Sequence, residues 1–135
     1  MPCYIHVFDE PPVQLWGLSS SQRIRREIEW ELSSHKGKLP GLAPDQSIEF
    51  IDDLRQLPPD ADVVLLRGDY LYDVRVLTSL IAAANTLLQV DGEDRTVAVA
   101  AHTGAAAATR VLDHINGNNQ ELPVTLDIET PDTLV

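Results

Sequence analysis

The sequence predicts an α/β domain of three layers built on a mixed, mostly parallel sheet, and three observations carry that expectation. Four consecutive apolar residues, Val63 to Leu66, run straight into Arg67, Gly68 and Asp69, the pattern of a short strand buried on both faces and ending in a polar loop. Beyond Asp73 the period becomes helical, with Leu77, Leu80, Ile81, Ala84 and Leu88 at spacings of three and four. A second apolar stripe, Ile24, Ile28 and Leu32, and an alanine-rich segment from Ala105 supply further helices, and helices on both sides of a sheet bury what water would otherwise contact.

In chain order, Tyr4 to Phe8 is aromatic and β-branched and reads as the first strand, with Asp9 and Glu10 at its end and Pro11-Pro12 blocking direct continuation into helix. Ser19 with Gln22 three residues on has capping-box spacing, so the next helix starts there. Lys36 to Gln46 is broken by Gly37, Pro40, Gly41 and Pro44 and reads as loop. Ser47 to Ile51 is a short strand, and Pro58-Pro59 closes the polar connection to Val63–Leu66, which belongs near the sheet centre.

Asp73 is placed to cap the helix over residues 74 to 84. Thr86 to Val90 and Thr96 to Ala100, joined through Asp91-Gly92, predict an antiparallel hairpin on an otherwise parallel sheet. Ala105 to Ile115 predicts a helix with Ala108, Val111, Leu112 and Ile115 on its buried side and Gly117 as its stop. Val124 to Ile128 is the last strand.

At 135 residues the chain has the size of one domain with a real core. Twenty-one acidic against ten basic residues give a formal charge of -11, which argues against a broad nucleic-acid-binding surface but leaves room for a free nucleotide in a local pocket. The lone Cys3 has no partner for an internal disulfide or a thiolate zinc cluster, which fits a reducing compartment. The amino terminus lacks the signal-peptide pattern, and apolar runs stop short of membrane-spanning length. Patterns still running near Val135 suggest the amino-terminal part of a longer protein.

Ligands of open α/β sheets bind beyond the carboxyl ends of the strands, which makes Asp69 and Asp73 candidates for a metal or a phosphate-bearing ligand. Arg23, Arg25 and Arg26 sit in the first turns of a helix, the wrong sign for its dipole, and so imply an anion nearby; solvated side chains or pairs with Glu27 and Glu29 are the alternative. Trp16 reads either as a stacking surface for a base or as packing between loop and core. Among the histidines, His102 is best placed for a ligand contact because it follows a strand and precedes Thr103-Gly104, whereas His6, His35 and His114 read as structural or exposed.

The segments VQLWGLSSSQRIRREI, VVLLRGDYLYDVRVLTSLI and TLLQVDGEDRTVAVAAHTGAAAATRVL, in that order, resemble the amino-terminal sugar-nucleotidyltransferase-like (cytidylyltransferase-like) domain fused to CDP-alcohol phosphatidyltransferases. The resemblance covers most of the chain. It rests on RGD with YD downstream and on WGLSSSQRIRR. It implies a nucleotidyltransferase-like, Rossmann-like fold in which Gly17, Ser19, Ser20 and Arg23 form the phosphate loop, Arg26 is a further phosphate contact and Asp69 holds Mg2+.

This sequence departs from that pattern. The loop has one glycine, three serines replace the more open backbone, and no lysine follows promptly, although close approach to a triphosphate favours glycine. The expectation is therefore a reduced or degenerate domain, inactive in isolation, with residual binding of CTP or another nucleotide. Its partners by resemblance are the carboxyl-terminal membrane domain of a parent CDP-alcohol phosphatidyltransferase, at the cytosolic face of the inner membrane, or a second copy. An active Mg2+-dependent CTP:alcohol-phosphate cytidylyltransferase and a noncatalytic α/β interaction domain are the competing readings.

Overall fold

The computed structural model of the chain describes residues 3–8, 18–34, 47–68, 70, 72–91, 96–116 and 126–131. Among the described residues six strands, β1 (Cys3–Phe8), β2 (Ile48–Phe50), β3 (Asp62–Arg67), β4 (Thr86–Asp91), β5 (Thr96–Gly104) and β6 (Asp127–Glu129), form one sheet in the order β2-β1-β3-β5-β4-β6. β1 pairs in parallel with β2 and β3, and β4 with β6, while β5 runs antiparallel between β3 and β4. The fold is thus α/β with a mixed, mostly parallel sheet, Rossmann-like in its layering, and β3 lies inside it.

The α-helices among the described residues are α1 (Ser20–Ser34), α2 (Val74–Ala82) and α3 (Ala108–Ile115). Alternation along β3 sends its side chains to two cores. Val64 and Leu66 pack with Cys3 and Ile5 of β1, Ile24 and Ile28 of α1, and Val76, Leu77, Leu80 and Ile81 of α2. Val63 and Leu65 pack on the other face with Phe8, Leu87 and Val111 and Ile115 of α3. All four β3 residues are essentially inaccessible to water, as expected of a strand covered by helices on both faces.

Local signals set the element ends. Ser19 and Gln22 form the expected capping box: the Ser19 N–H donates to Gln22 Oε1 at 2.9 Å and the Gln22 N–H to Ser19 Oγ at 3.3 Å. Asp73 caps α2, its Oδ1 accepting from the Arg75 N–H at 2.8 Å. α2 is two residues shorter than the spacing predicts. Asn85 has φ 55, a left-handed conformation that asparagine tolerates better than most residues, and it turns the chain into β4. Leu88, in register with the helical stripe, is consequently a strand residue buried from β4.

Ala105–Ala107 form a 3-10 turn before α3 rather than its first α-helical turn. The Ala105 N–H is held by the Ala61 carbonyl at 2.9 Å, which ties this entry to the start of β3. Between β4 and β5, Leu88 pairs with Ala100 but Gln89 with Ala98, so Val99 is passed over in a bulge. β6 is an edge strand with Asp127 and Ile128 exposed. The loop read over Lys36–Gln46, His35, the turn at Gly92, the stop at Gly117, and Val124 and Thr125 lie outside the described residues. Among the described residues no helix is long and apolar enough to cross a membrane.

Candidate functional site at the carboxyl edge of the sheet

The carboxyl ends of β1 and β3 and the start of α1 meet at one corner. Gly68 directly follows β3 and is buried, its N–H donating to the Phe8 carbonyl at 2.6 Å, which carries the β1/β3 pairing one residue past Arg67. The Ser20 hydroxyl, buried in the first turn of α1, donates to the Gly68 carbonyl and accepts from Arg23 Nη2 at 3.1 Å. A single hydroxyl therefore docks the helix start onto the strand end and orients a guanidinium one turn further on. Arg23 Nε is buried without a hydrogen-bond partner, and such a group costs free energy until an acceptor meets it.

Around this corner the charges are mixed. Water lost around the Glu27 carboxyl raises its pKa; Arg23 opposes that rise and Asp73 adds to it. Asp73 itself is held low by hydrogen bonds from the Arg75 side chain and N–H, with Arg75 Nη2 3.2 Å from Oδ2 and Nε 3.3 Å from Oδ1. Both carboxylate oxygens of Asp73 are thus engaged by Arg75. Tyr72 is buried in the connection before α2, and its hydroxyl lies within donor distance of the Arg67 carbonyl at 3.0 Å and the Val99 carbonyl at 2.9 Å.

The structure therefore brings Ser19, Ser20, Arg23 and Asp73 to the carboxyl edge of β3. Arg26 lies one turn beyond Arg23, exposed, and lines an open groove of about 350 Å³ with Glu27, Trp30, Glu31 and Val74. Trp16, Gly17 and Asp69 lie outside the described residues.

His102 is apart from this group. It pairs across the ladder with Val64 and sits two residues from Gly104, the partner of Asp62, at the end of β3 away from Gly68. There it is 3% exposed, its Nδ1–H donates to the Leu80 carbonyl at 2.9 Å, and Nε2 is 3.6 Å from Asp62 Oδ2. These contacts tie β5 to the end of α2 and leave its ring no path to the Gly68 corner.

No group of three or more histidine, cysteine, aspartate or glutamate side chains among the described residues is arranged to hold a metal ion. Of the two aspartates expected to bind Mg2+, Asp69 lies outside the described residues, and Asp73 caps α2 and pairs with Arg75.

Sequence reasoning passed over two members of the corner. Gly68 is where Ser20 docks, and a glycine immediately after a buried strand was its only signal. Glu27 is the acid facing Arg23, visible as an i,i+4 pair but read only as surface pairing. No protein-family model matches the chain, and no curated protein or solved structure matches it significantly.

Proposed function

We propose that this chain is a reduced cytidylyltransferase-like domain, a noncatalytic cytosolic accessory to a CDP-alcohol phosphatidyltransferase in phospholipid synthesis that keeps a weak grip on nucleotide phosphate. The observation that supports it is the Ser20–Gly68–Arg23 corner. It lies at the strand ends where α/β sheets take ligands, and it offers a guanidinium with an unmatched buried N–H.

The same corner favours loss of catalysis. The Ser20 hydroxyl is occupied by Gly68 and Arg23, so it is withdrawn from any role as a phosphate donor, and Asp73 is engaged by Arg75. What remains is one arginine at a helix start, enough for a phosphate group and short of the converging donors that stabilise a transferring phosphoryl group. The membrane partner and the cytosolic face of the inner membrane rest on the resemblance alone.

Calorimetric titration with CTP, with and without Mg2+, tests the reading on the original chain, Arg23→Ala and Asp69→Asn, each checked for folding by circular dichroism. Weak saturable CTP binding, lost in Arg23→Ala and accompanied by no CTP turnover, is the expected result. With an alcohol phosphate added as acceptor, release of pyrophosphate and formation of the CDP-alcohol that disappear in Asp69→Asn would establish the active enzyme instead. Absence of binding here and in the full-length protein would leave an interaction domain without nucleotide chemistry.

A further inference from the structure

At the end of β3 away from the Gly68 corner, two side chains face each other that the nucleotide reading does not use. Asp62 pairs with Gly104 and Val64 with His102, so Asp62 and His102 are diagonal neighbours on one face of the β3/β5 ladder. The Leu80 carbonyl can only accept, which puts a ring proton of His102 on Nδ1, 2.9 Å away, and leaves the neutral ring a lone pair on Nε2. Nε2 is buried and has no hydrogen-bond partner. It faces Asp62 Oδ2 at 3.6 Å, beyond hydrogen-bond length, and among the described residues Asp62 has no arginine or lysine partner.

Two lone pairs held face to face out of water repel each other, and a positive ion between them turns that repulsion into binding. We infer that His102 and Asp62 form a site for a divalent transition cation of the Zn2+ class, coordinated by Nε2 and Oδ2. The spacing fits such an ion. Metal bonds of about 2.0–2.1 Å to the two atoms span 3.6 Å at an angle of about 120°, close to the tetrahedral arrangement that Zn2+ adopts. The Nδ1–H bond to a backbone carbonyl is the kind of support that orients a ligating imidazole and raises its basicity. An imidazole beside one carboxylate selects Zn2+ and similar ions over Mg2+ and Ca2+, which take oxygen ligands. The Asp62 side chain is 45% exposed, so an ion reaches Oδ2 from solvent and keeps water in its remaining positions. Cys3, opposite Asp62 in the β1/β3 pairing, has its thiol 4.0 Å from the Tyr4 carbonyl, so the protein supplies two ligands and water the rest. A bound ion would clip β3 to β5 and, through Leu80, to α2.

Calorimetric titration of the metal-stripped 135-residue chain with ZnCl2 tests this. The expected result is one Zn2+ bound per chain, undiminished by about a tenfold excess of Mg2+, and a melting temperature that rises with Zn2+ because the ion binds the folded arrangement. Asp62→Asn and His102→Gln should each weaken binding at least about tenfold, while His6→Gln and His114→Gln, at histidines outside the pair, should bind as the original chain does. Circular dichroism confirms that each variant is folded. Proton–nitrogen correlation spectra of the original chain read the same site without any substitution: Zn2+ should shift His102 Nε2 and leave Nδ1 protonated. Absence of Zn2+ binding up to about 1 mM, binding unchanged in folded Asp62→Asn, or an Nε2 that carries a proton and does not respond to Zn2+ would each overturn the inference.

Discussion

Tyr72 reaches the carbonyl of Val99, the residue that the β4/β5 bulge leaves out of register, with its hydroxyl 2.9 Å from that oxygen. The same hydroxyl is 3.0 Å from the carbonyl of Arg67, the last residue of β3. One phenol thus spans the ends of two adjacent strands just past Leu66 and Ala100, the last pair of the β3/β5 ladder. Its ring packs edge-on against Tyr70, with centroids 4.9 Å apart, so Tyr70 is held against the residue that reaches the sheet.

Tyr72→Phe should keep that packing and remove the hydroxyl, weakening the hold on two carbonyls at the carboxyl edge. A loss of about 1–2 kcal/mol is expected for a buried hydrogen bond of this kind. Urea denaturation followed by far-ultraviolet circular dichroism measures it. An unchanged midpoint would mean that water replaces the phenol at no cost.

Much of this architecture was legible beforehand, and for identifiable reasons. Val63 to Leu66 could be assigned to the sheet interior because only a strand covered on both faces needs four apolar residues in a row. The Ser19/Gln22 box and the Asp73 cap are encoded within three residues and so survive any tertiary context. Leu88 was ambiguous because its spacing fits the helix before it as well as the strand that contains it, and only the left-handed Asn85 separates the two. The Ser20–Gly68 contact joins residues 48 apart in the chain, and His102 lies away from the candidate site because of the β3/β5 register; neither distance nor register is written in local pattern.

Cys3 offers a simple check on the packing of β1. The thiol is fully buried, and burial, with the Asp62 charge adding to it, pushes its pKa up to about 12, so almost no thiolate exists at neutral pH. A thiol-specific reagent such as dithionitrobenzoate should leave the native chain unmodified at pH 8 and label one thiol per chain in denaturing urea. Rapid labelling of the native protein would place Cys3 at the surface and contradict the register of β1 against Asp62 and Ile48.

The Asp53–Arg55 pair predicts an acid-side dependence. Hydrogen bonds from the Arg55 side chain and N–H hold the Asp53 carboxyl down to about 2, with Arg55 Nη2 2.7 Å from Oδ2. A depressed carboxyl contributes stability that is fully present above its unfolded value of about 3.9 and is lost as pH falls through the folded value. Asp53→Asn should therefore lower the melting temperature slightly at pH 6, with the difference shrinking as pH falls below about 4 and closing only below about pH 2. The side chains are largely exposed, so the difference should be small and shrink with salt. A constant difference across the range would assign the effect to the turn geometry at Leu54–Gln56 and not to charge.

Glu27 carries the reverse sign and bears on the nucleotide corner. Its raised pKa, from lost hydration with Asp73 adding and Arg23 opposing, means that the folded chain holds this proton more tightly than the unfolded one, so stability falls as pH rises from about 4.3 through the raised value. Replacing Glu27 by Gln removes a charge that the fold resists and keeps the side chain's size. The variant should melt at a higher temperature than the original chain at pH 7, and the gain should fade below about pH 4, where the glutamate is protonated in both states. The same substitution takes one negative charge from beside Arg23. If the guanidinium receives phosphate, CTP should then bind about two- to threefold tighter at low salt, with the difference vanishing at high salt as screening removes it. Calorimetry of both chains at two ionic strengths reads this directly. A stabilised Glu27→Gln variant whose CTP affinity is unchanged or weaker would keep the electrostatic account of α1 and place the phosphate site away from Arg23.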